Sequence, residues 1–285
     1  MNLDPPFAEL IRPLVVDALA EDHAHEDATT RAVVDDDLRC TAAIICKEAG
    51  VVCGLGVAYL AFAELDSGLV FKQYSTDGAR VQSDQPLASV AGRVAPILSA
   101  ERVALNFMQR LSGIATITAR VVQAVEGTGV TILDTRKTTP GLRLLEKYAV
   151  RCGGGTNHRM DLSDAILLKD NHLATGKLQE LSLGDLVRRA VERRNGLSVE
   201  VEVTRIREAE EAMAAGATRL LLDNMSTTEM ATVVDLAKGR AQTEASGGIT
   251  IENAREVALT GVDYISLGAL THSVKALDLS LELIG

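Results

Sequence analysis

The spacing of apolar residues changes near residue 110 of this 285-residue chain. In the first part, apolar side chains recur at helical spacing over residues 7–21, which predicts an amphipathic helix. Short apolar runs separated by glycine then predict strands over residues 41–47, 50–57, 69–74 and 87–94. This mixture predicts an N-terminal α+β domain.

A long helical stretch, residues 99–126, joins the two patterns. Ser99 suits its N-cap, and Ser112-Gly113 predicts a break within it. Arg102 and Asn106 lie four positions apart on one face, so they can project together. Another face is apolar and predicts a buried stripe formed by Val103, Ala104, Phe107, Met108 and Leu111.

After this helix the chain alternates regularly between short apolar runs and helical segments. Strands are predicted over residues 130–133, 165–168, 198–203, 219–222, 242–245 and 262–267. Helices are predicted over residues 141–151, 183–194, 205–215, 228–238 and 250–260. Such alternation indicates a parallel sheet with right-handed crossovers. Six strands are fewer than the eight of an ordinary α/β barrel, so an incomplete barrel fits, with a doubly wound sheet as the alternative.

The change of pattern also divides the chain. We expect an N-terminal domain over residues 1–112 and an α/β barrel over residues 113–268. The tail, residues 269–285, lies beyond the last predicted strand and is expected to pack on the N-terminal domain.

Composition narrows the classes of function. The chain has 29 Lys and Arg against 39 Asp and Glu, and its net charge of −10 argues against general nucleic-acid binding. Aromatic residues make up 3 % of the chain and Trp is absent, so stacking platforms for single strands are not expected. No apolar run approaches the ~20 residues of a membrane helix. The N-terminal residues lack the basic and apolar regions of a signal peptide.

The four cysteines contain no CxxC pair. This favours a reduced, cytoplasmic chain over a disulfide framework or a zinc site. His23 and His25 stand two positions apart among acids, a pattern more typical of a solvated loop than of metal ligands.

Within this acidic chain, residues 132–172 concentrate basic side chains. Seven lysines and arginines fall there: Arg136, Lys137, Arg143, Lys147, Arg151, Arg159 and Lys169. Arg143, Lys147 and Arg151 recur at helical spacing and are expected on a solvated helix face. The others lie close to predicted strands, and the strand-end edge is where α/β proteins bind ligands. We therefore expect a small, multiply anionic substrate at the strand ends.

Acidic side chains are expected at the same edge. Glu200 and Glu202 alternate with valines and so share a strand face, and Asp223 follows the next strand. Burying a charge is costly unless it is paired, and Lys169 is the expected partner of Glu202. One interpretation is a core ion pair without chemistry. The other, which we favour because basic and acidic groups converge, is that Glu202 and Asp223 face a cationic transition state or a metal ion held by substrate phosphates.

Turns after the strands supply further candidates. Thr135 lies in the turn after the first strand of the barrel. Ser246-Gly247-Gly248 ends the fifth strand and can present backbone N–H groups to phosphate at the start of the next helix. Ser266-Leu267-Gly268 ends the sixth. Phosphate commonly binds at the last two strand loops of a barrel, so both turns are predicted to bind phosphate.

Ten motifs are spread over nearly the full chain: ALAED at 18–22, SAERVALNFMQRLSGIAT at 99–116, DTRKTTPGLR at 134–143, EKYAV at 146–150, GGGTNHR at 153–159, LLKDNH at 167–172, EVEV at 200–203, LLDN at 221–224, SGGI at 246–249 and GVDYISLGALTHS at 261–273. In sequence and in order they resemble those of the nicotinate-nucleotide pyrophosphorylases, also called quinolinate phosphoribosyltransferases. One departure is at His25-Glu26-Asp27, where the family usually has Gly before the Asp.

The resemblance implies an α/β fold with an N-terminal open-faced α/β sandwich and an incomplete, six- or seven-stranded α/β barrel. It implies a homodimer, or a hexamer built from dimers. It also implies the reaction: quinolinate and 5-phosphoribosyl 1-diphosphate give nicotinate mononucleotide, diphosphate and CO2, with Mg²⁺, as a step of NAD biosynthesis.

By motif position the resemblance implies the roles of individual residues. A basic substrate pocket would be formed by Arg102, Arg136, Lys137, His158, Arg159 and Lys169. Glu202 and Asp223 would be its acids and, with Lys169, its catalytic residues, and the two turns would hold phosphate. Metal would bind mainly through the substrate diphosphate, with Glu202 and Asp223 as the candidate protein ligands. A dicarboxylate and a polyphosphate match this density of positive charge.

Alternatives remain at this stage. Within the resemblance, one is the related protein found with molybdate transport genes, and another is a transferase that acts on nicotinate itself. A Schiff-base aldolase that uses Lys169 belongs to a different class. A phosphate-binding module without turnover is the simplest alternative.

Overall fold

The computed structural model of the chain describes residues 5–284, and side chains from residue 7. The chain forms two compact units. The first contains the described residues up to Ala119, Thr138–Gly154, and the described residues from Leu270 onward; the second contains Arg120–Lys137 and Gly155–Ala269. The expected division at residues 112 and 113 therefore differs from the observed one, because residues 113–119 and 138–154 belong to the first unit.

Elements alternate irregularly up to the long helix. In chain order they are α1 (Pro5–Glu21), a 3₁₀ turn (Ala24–Glu26), α2 (Ala28–Val33), β1 (Arg39–Cys46), β2 (Gly50–Val51), α3 (Leu55–Leu65), β3 (Val70–Gln73), β4 (Arg80–Val81), β5 (Pro86–Arg93) and α4 (Val94–Ala124).

Strands and helices alternate regularly after it. They are β6 (Thr131–Leu133), α5 (Arg143–Cys152), β7 (Ile166–Leu168), α6 (Asp170–Leu178), α7 (Leu183–Arg193), β8 (Val199–Val203), α8 (Ile206–Ala214), β9 (Arg219–Asp223), α9 (Thr227–Ala237), β10 (Gln242–Ser246), α10 (Ala254–Ala258), β11 (Tyr264–Ser266), α11 (Ala269–His272) and β12 (Leu279–Ile284). Across residues 5–284, no helix combines the length and apolar character that a membrane crossing requires.

The first unit contains a four-stranded antiparallel sheet in the order β12-β1-β5-β3. The predicted strand over residues 50–57 is wrong beyond Val51, because α3 begins at Leu55. The start of α3 is fixed by a distant side chain: Asp77 Oδ1 accepts hydrogen bonds from the backbone N–H groups of Gly54 and Leu55 at 3.0 and 3.1 Å. An apolar run alone does not distinguish a buried helix from a strand.

The long helix α4 is continuous, so the predicted start at Ser99 and the break at Ser112-Gly113 are both wrong. Ser99 lies inside the helix, where its hydroxyl donates to Asp27 Oδ2 at 3.1 Å. The Ser112 hydroxyl donates to the Cys53 carbonyl at 3.1 Å. A Cβ on Gly113 would lie 2.3 Å from the Lys275 carbonyl oxygen. Both residues therefore serve close packing against other segments.

The second unit is a six-stranded parallel sheet in the order β6-β11-β10-β9-β8-β7. Strands β6 and β7 are the two edges of this sheet, and helices follow the strands as in an α/β barrel. The prediction of an incomplete barrel is thus confirmed. The helix predicted over residues 250–260 is reduced to the short α10, and α6 was not predicted.

Helix α5 corrects one expectation about the basic residues. Arg151 is exposed and Arg143 is half-buried, but Lys147 is fully buried. Its neighbour Glu146 is also fully buried and accepts a hydrogen bond from Arg110 Nε at 2.9 Å. The solvated face predicted for this helix is therefore wrong for Lys147.

Candidate active site

Two oppositely charged side chains meet at the ends of β7 and β8. Lys169 follows β7 directly, and its Nζ lies 2.9 Å from Oε2 of Glu202, the fourth residue of β8. The Lys169 side chain is 44 % exposed and that of Glu202 13 %, so the pair opens to solvent on the lysine side. The predicted pairing is confirmed. Such a pair offers a cation for anionic ligands and a carboxylate close to it.

The ends of β9 and β10 lie side by side. Asp223 and Ser246 are register partners and the last residues of their strands. Asp223 is half-buried, and its Oδ2 accepts a hydrogen bond from Asn224 Nδ2 at 2.8 Å. The backbone N–H of Asn224 donates to the Ser246 carbonyl at 3.0 Å. Asp223 therefore reaches the same strand-end edge as Glu202.

The turn after β10 depends on glycine. Gly247 and Gly248 have φ angles of +87° and +62°, in the region that disfavours other residues. A Cβ on Gly247 would lie 2.4 Å from Asn224 Oδ1, so the turn also packs against that side chain. The helix expected to start here begins only at Ala254 and has five residues. The helix N-terminus predicted for phosphate binding is therefore wrong, and the glycine turn remains as the candidate.

The turn after β11 offers less than predicted. The backbone N–H of Leu267 donates to the Leu133 carbonyl at 3.0 Å, and its side chain is buried. The Ser266 side chain is buried, and its hydroxyl interacts with the Glu244 carboxylate and lowers the pKa of that acid. Leu267 therefore cannot donate its N–H to a phosphate, and Ser266 faces an acid inside the sheet. Gly268, the third residue of this turn, is half-buried.

Arg136 and Arg159 form the basic part of the site. Arg136 is half-buried, and its Nε has no hydrogen-bond partner among the described residues. Arg159 is half-buried too, and its Nη1 donates to the Ala165 carbonyl at 3.1 Å. Burial and the nearby charge of Arg136 lower the pKa of Arg159. Two half-buried like charges that act on each other favour the binding of an anion.

Two further residues of the predicted pocket are near Arg136 in sequence. Lys137 is exposed, and its backbone N–H donates to Thr135 Oγ1 at 3.1 Å. This bond stabilises the turn that follows β6, and Arg136 is the residue enclosed by that turn.

His158 lies deeper than these side chains. Its Nε2 is 3.2 Å from Glu200 Oε2 and 3.3 Å from Glu244 Oε2, and its Nδ1 accepts the backbone N–H of Arg159 at 2.7 Å. Glu200 is 2 % exposed and Glu244 0 %. Nδ1 is therefore hydrogen-bonded within the protein, and Nε2 faces the two buried acids. The expected direct contact of the ring with substrate would have to displace either the Arg159 N–H or one of these acids.

The two acids differ in their titration. Burial raises the pKa of Glu200. Burial acts in the same direction on Glu244, but His158, Ser266 and Arg219 outweigh it and lower the pKa of Glu244. The Arg219 guanidinium lies 3.6 Å from Glu244 Oε2. Glu244 was missed by sequence reasoning, because a single acid in a short strand resembles a surface residue.

Arg102 is the predicted site residue that belongs to the first unit. Its side chain is 59 % exposed on α4, 3.9 Å from Glu101 Oε1. The neighbouring face position, Asn106, is exposed as well. The two residues therefore share an exposed helix face, as their spacing predicts.

Oxygen donors at the strand ends fit a hard cation. Glu202 and Asp223 provide carboxylates on neighbouring strands β8 and β9. Mg²⁺ is usually held by one or two carboxylates together with substrate phosphates and water. These two residues would hold it here.

Two domain models of one known family together match most of the chain. The N-terminal domain of quinolinate phosphoribosyl transferase matches residues 27–112. The C-terminal domain of the same family matches residues 114–282.

Individual relatives agree with this match. The quinolinate phosphoribosyltransferase [decarboxylating] 1b of Nicotiana tabacum is 41 % identical over 282 residues, which cover 93 % of this chain and 80 % of the relative. A probable nicotinate-nucleotide pyrophosphorylase [carboxylating] of Bacillus subtilis is 40 % identical, covering 92 % of this chain and 89 % of its own.

Solved structures share the fold throughout. NadC from Streptococcus pyogenes superposes with a TM-score of 0.92 at 40 % identity, covering 100 % of both chains. The nicotinate-nucleotide pyrophosphorylase of Francisella tularensis superposes with a TM-score of 0.91 at 38 % identity, covering 100 % of this chain and 99 % of the other. The chain therefore belongs to the quinolinate phosphoribosyltransferase family.

Proposed function

We propose that the chain is a pentosyltransferase of NAD biosynthesis. It transfers the phosphoribosyl group of 5-phosphoribosyl 1-diphosphate to the ring nitrogen of quinolinate, and nicotinate mononucleotide, diphosphate and CO2 are the products. Relatives about 40 % identical over nearly the whole chain carry names for this activity. The structural observation that carries the proposal is that Arg136 and Arg159 are two half-buried guanidinium groups, and that Nε of Arg136 has no hydrogen-bond partner among the described residues, which favours an anion.

The basic side chains would bind the two acidic substrates. Arg136 and Arg159 suit bidentate contacts with the carboxylates of quinolinate, because a guanidinium matches a carboxylate in geometry. Lys137 and Lys169 suit point-charge contacts with carboxylate or phosphate. The glycine turn at Gly247 supports a phosphate contact, because the absence of side chains lets a ligand approach the backbone.

The acids would act on the transferred group. Departure of diphosphate develops positive charge on the ribose, and Glu202 and Asp223 would stabilise it. Lys169 holds Glu202 at 2.9 Å and limits the orientations of its carboxylate. No covalent intermediate with the protein is needed. The positive ring nitrogen formed by the transfer stabilises the electron pair that stays on C2 when the 2-carboxylate leaves as CO2, and a proton from solvent then bonds to that carbon.

Mg²⁺ is part of the proposal. Glu202 and Asp223 would hold it together with oxygens of the diphosphate. The ion neutralises charge on the leaving diphosphate when it is bound. Lys169 and the glycine turn would contact the phosphate oxygens that the ion does not bind.

The assembly and compartment are further parts of the proposal. We expect a homodimer, or a hexamer built from dimers, in which Arg102 of one subunit enters the pocket of its neighbour. Its exposure of 59 % on α4 leaves it available for such a contact. The four cysteines are free in the structure, which supports a reducing compartment such as the cytoplasm.

Other activities predict different products. A Schiff-base aldolase would need the Lys169 amine as a nucleophile, and that amine is engaged by Glu202. A transferase for nicotinate would need less positive charge, because nicotinate lacks the 2-carboxylate. The molybdate-transport paralogue would leave quinolinate unconverted.

Turnover assays separate these possibilities. The protein is incubated with phosphoribosyl diphosphate, Mg²⁺ and either quinolinate or nicotinate, while nicotinate mononucleotide and CO2 are measured. We expect mononucleotide and CO2 in equal amounts from quinolinate. Mononucleotide from nicotinate alone, or borohydride trapping of a carbonyl compound on Lys169, would refute the proposal. Withdrawal of Mg²⁺ with a chelator is expected to stop the reaction.

A further inference from the structure

A pair of acids is buried in the interior of the parallel sheet, beneath the residues that bind substrate in the proposed function. Glu200 lies on β8 and Glu244 on β10, and their exposed fractions are 2 % and 0 %. Glu200 Oε1 has no hydrogen-bond partner among the described residues. Apolar side chains of similar volume would fill this space at lower cost. The acids therefore call for an explanation outside core packing.

Both carboxylates converge on one imidazole. Nε2 of His158 lies 3.2 Å from Glu200 Oε2 and 3.3 Å from Glu244 Oε2. Because Nδ1 accepts the backbone N–H of Arg159 at 2.7 Å, a ring proton lies on Nε2, the nitrogen that faces both acids. The imidazole thus lies between the two acids buried in the sheet and the backbone of Arg159.

The same loop is held at a second point. Asp134 is fully buried at the end of β6, and its Oδ1 accepts the backbone N–H of His158 at 2.9 Å. Its Oδ2 accepts a hydrogen bond from Asn157 Nδ2 at 2.6 Å. Residues 157–159 are therefore attached to the sheet by buried carboxylates on both sides. Such attachment limits the positions that the Arg159 guanidinium can reach.

We propose that Glu200 and Glu244 are positioning residues: through the imidazole of His158 they hold the backbone of Arg159 so that its guanidinium meets the carboxylates of the substrate. This inference rests on the proposed function, in which Arg159 binds quinolinate. It assigns His158 to the support of the loop, in place of direct contact with substrate. Glu244 thereby becomes part of substrate recognition although it does not reach the pocket.

A divalent cation is the competing explanation for this cluster. One imidazole and two carboxylates, with ligand atoms all within 4.8 Å of one another, form a set that such an ion accepts. Arg219, at 3.6 Å from Glu244, already supplies positive charge and makes a second cation less favourable. The distances of 3.2 and 3.3 Å from His158 Nε2 to the acids are those of direct ion pairs between the ring and the carboxylates.

The test is a double-mutant cycle on KM for quinolinate. Glu244→Gln and Glu200→Gln keep the shape of the side chain and remove its charge. Each is made alone and together with Arg159→Ala. Asp263→Asn is the matched control, because Asp263 Oδ2 accepts the Thr243 N–H at 2.7 Å and so supports β10 without touching His158.

Each Gln variant is expected to raise KM by about 10-fold or more, with kcat reduced by less than about 3-fold. In the Arg159→Ala background the same change should alter KM by less than about 2-fold, since the supported group is gone. Asp263→Asn should leave KM unchanged. Equal effects in both backgrounds, or a loss of thermal stability with unchanged KM, would overturn the proposal. Wild-type protein without turnover would refute the proposed function instead, before any variant is compared.

Two measurements on wild-type protein apply even if the variants fold poorly. The Arg159 amide hydrogen should exchange slowly with solvent, because Nδ1 of His158 accepts it, and rapid exchange would refute the support of the loop. Protein dialysed against Zn²⁺ or Mn²⁺ should retain less than stoichiometric metal at this cluster. One equivalent retained by wild type and lost in both Gln variants would establish the metal site and overturn the positioning role.

Discussion

Lys169 and Glu202 join the ends of two neighbouring parallel strands through a contact of 2.9 Å between Nζ and Oε2. Strands β7 and β8 pair through residues 166–168 and 199–201. The same register brings Lys169, which follows Leu168, beside Glu202, which follows Val201. The carboxylate is nearly buried while the ammonium remains accessible. Of the two charged groups, the lysine is therefore the more accessible to a ligand.

Replacement of Lys169 by Ala should abolish or severely reduce turnover while the fold remains intact. Loss of one charged contact to an anionic substrate costs about 2–4 kcal/mol, which is on the order of 30- to 1,000-fold in kcat/KM. Lys177→Ala is the matched control, because Lys177 is an exposed lysine on α6. Activity near that of wild type in Lys169→Ala, measured by mononucleotide formation, would remove Lys169 from the site.

Quinolinate should bind more tightly than nicotinate. In the proposed function the 2-carboxylate pairs with the guanidinium groups of Arg136 and Arg159, and without it these charges would stay partly unpaired. We expect a difference of about 10-fold or more by calorimetry, and a smaller difference in Arg159→Ala. Equal affinity of wild type for the two acids would favour a nicotinate enzyme.

Arg102 should act across a subunit interface. Arg102→Ala and Lys169→Ala are each expected to be nearly inactive. After subunit exchange, a heterodimer of the two variants contains one site with both defects and one site with neither, so activity should return. Exchange demonstrated by labelled subunits without recovery of activity would place Arg102 in the site of its own chain.

Gly247 should be required for affinity toward phosphoribosyl diphosphate. Gly247→Ala places a Cβ 2.4 Å from Asn224 Oδ1 and forces a residue with φ of +87° into a strained region. Gly239 is the control, because its φ is +72° but nothing lies within 4 Å of an added Cβ. Each variant should lose about 1–2 kcal/mol of stability from the backbone. Only Gly247→Ala should raise KM for phosphoribosyl diphosphate. A similar rise in Gly239→Ala would indicate that the loss of stability, and not the turn at Gly247, raises KM.

The ion pair of Arg110 and Glu146 should matter for stability. Glu146 is fully buried, and Arg110 donates to it from Nε at 2.9 Å. Arg110→Met leaves that carboxylate without its charge partner, which costs about 3–5 kcal/mol in the free energy of unfolding. Arg188→Met removes an exposed pair with Asp185 and should cost less than about 1 kcal/mol. Denaturant unfolding of both variants measures the difference, and equal losses would contradict it.

The parallel sheet was predictable because each of its strands is a short apolar run followed by a helical segment. Local patterns failed where a distant residue decides the structure. Asp77 caps the helix that begins at Leu55, and Gly113 meets the backbone of Lys275. Neither partner can be recognised from spacing within a window of the sequence.

The candidate site shows the same limit. Glu200 and Glu202 were visible because two acids alternate with valines in one strand. Glu244 stands alone in β10, and its relation to His158 exists only once the strands are placed beside each other. Lys147 was expected on a solvated face because helical spacing indicates which residues share a face, while burial depends on what packs against that face.

The pairing of β12 with β1 determines when the first sheet can be completed during synthesis. Residues 279–284 pair with residues 41–46, so the first sheet lacks one of its strands until the end of the chain is available. During synthesis, β1 would expose an unpaired edge throughout translation of the barrel. The four-stranded sheet of the first unit is therefore completed only after the parallel sheet has been synthesised, and until then the chain is most open to misassembly at the edge of β1 that residues 279–284 later cover.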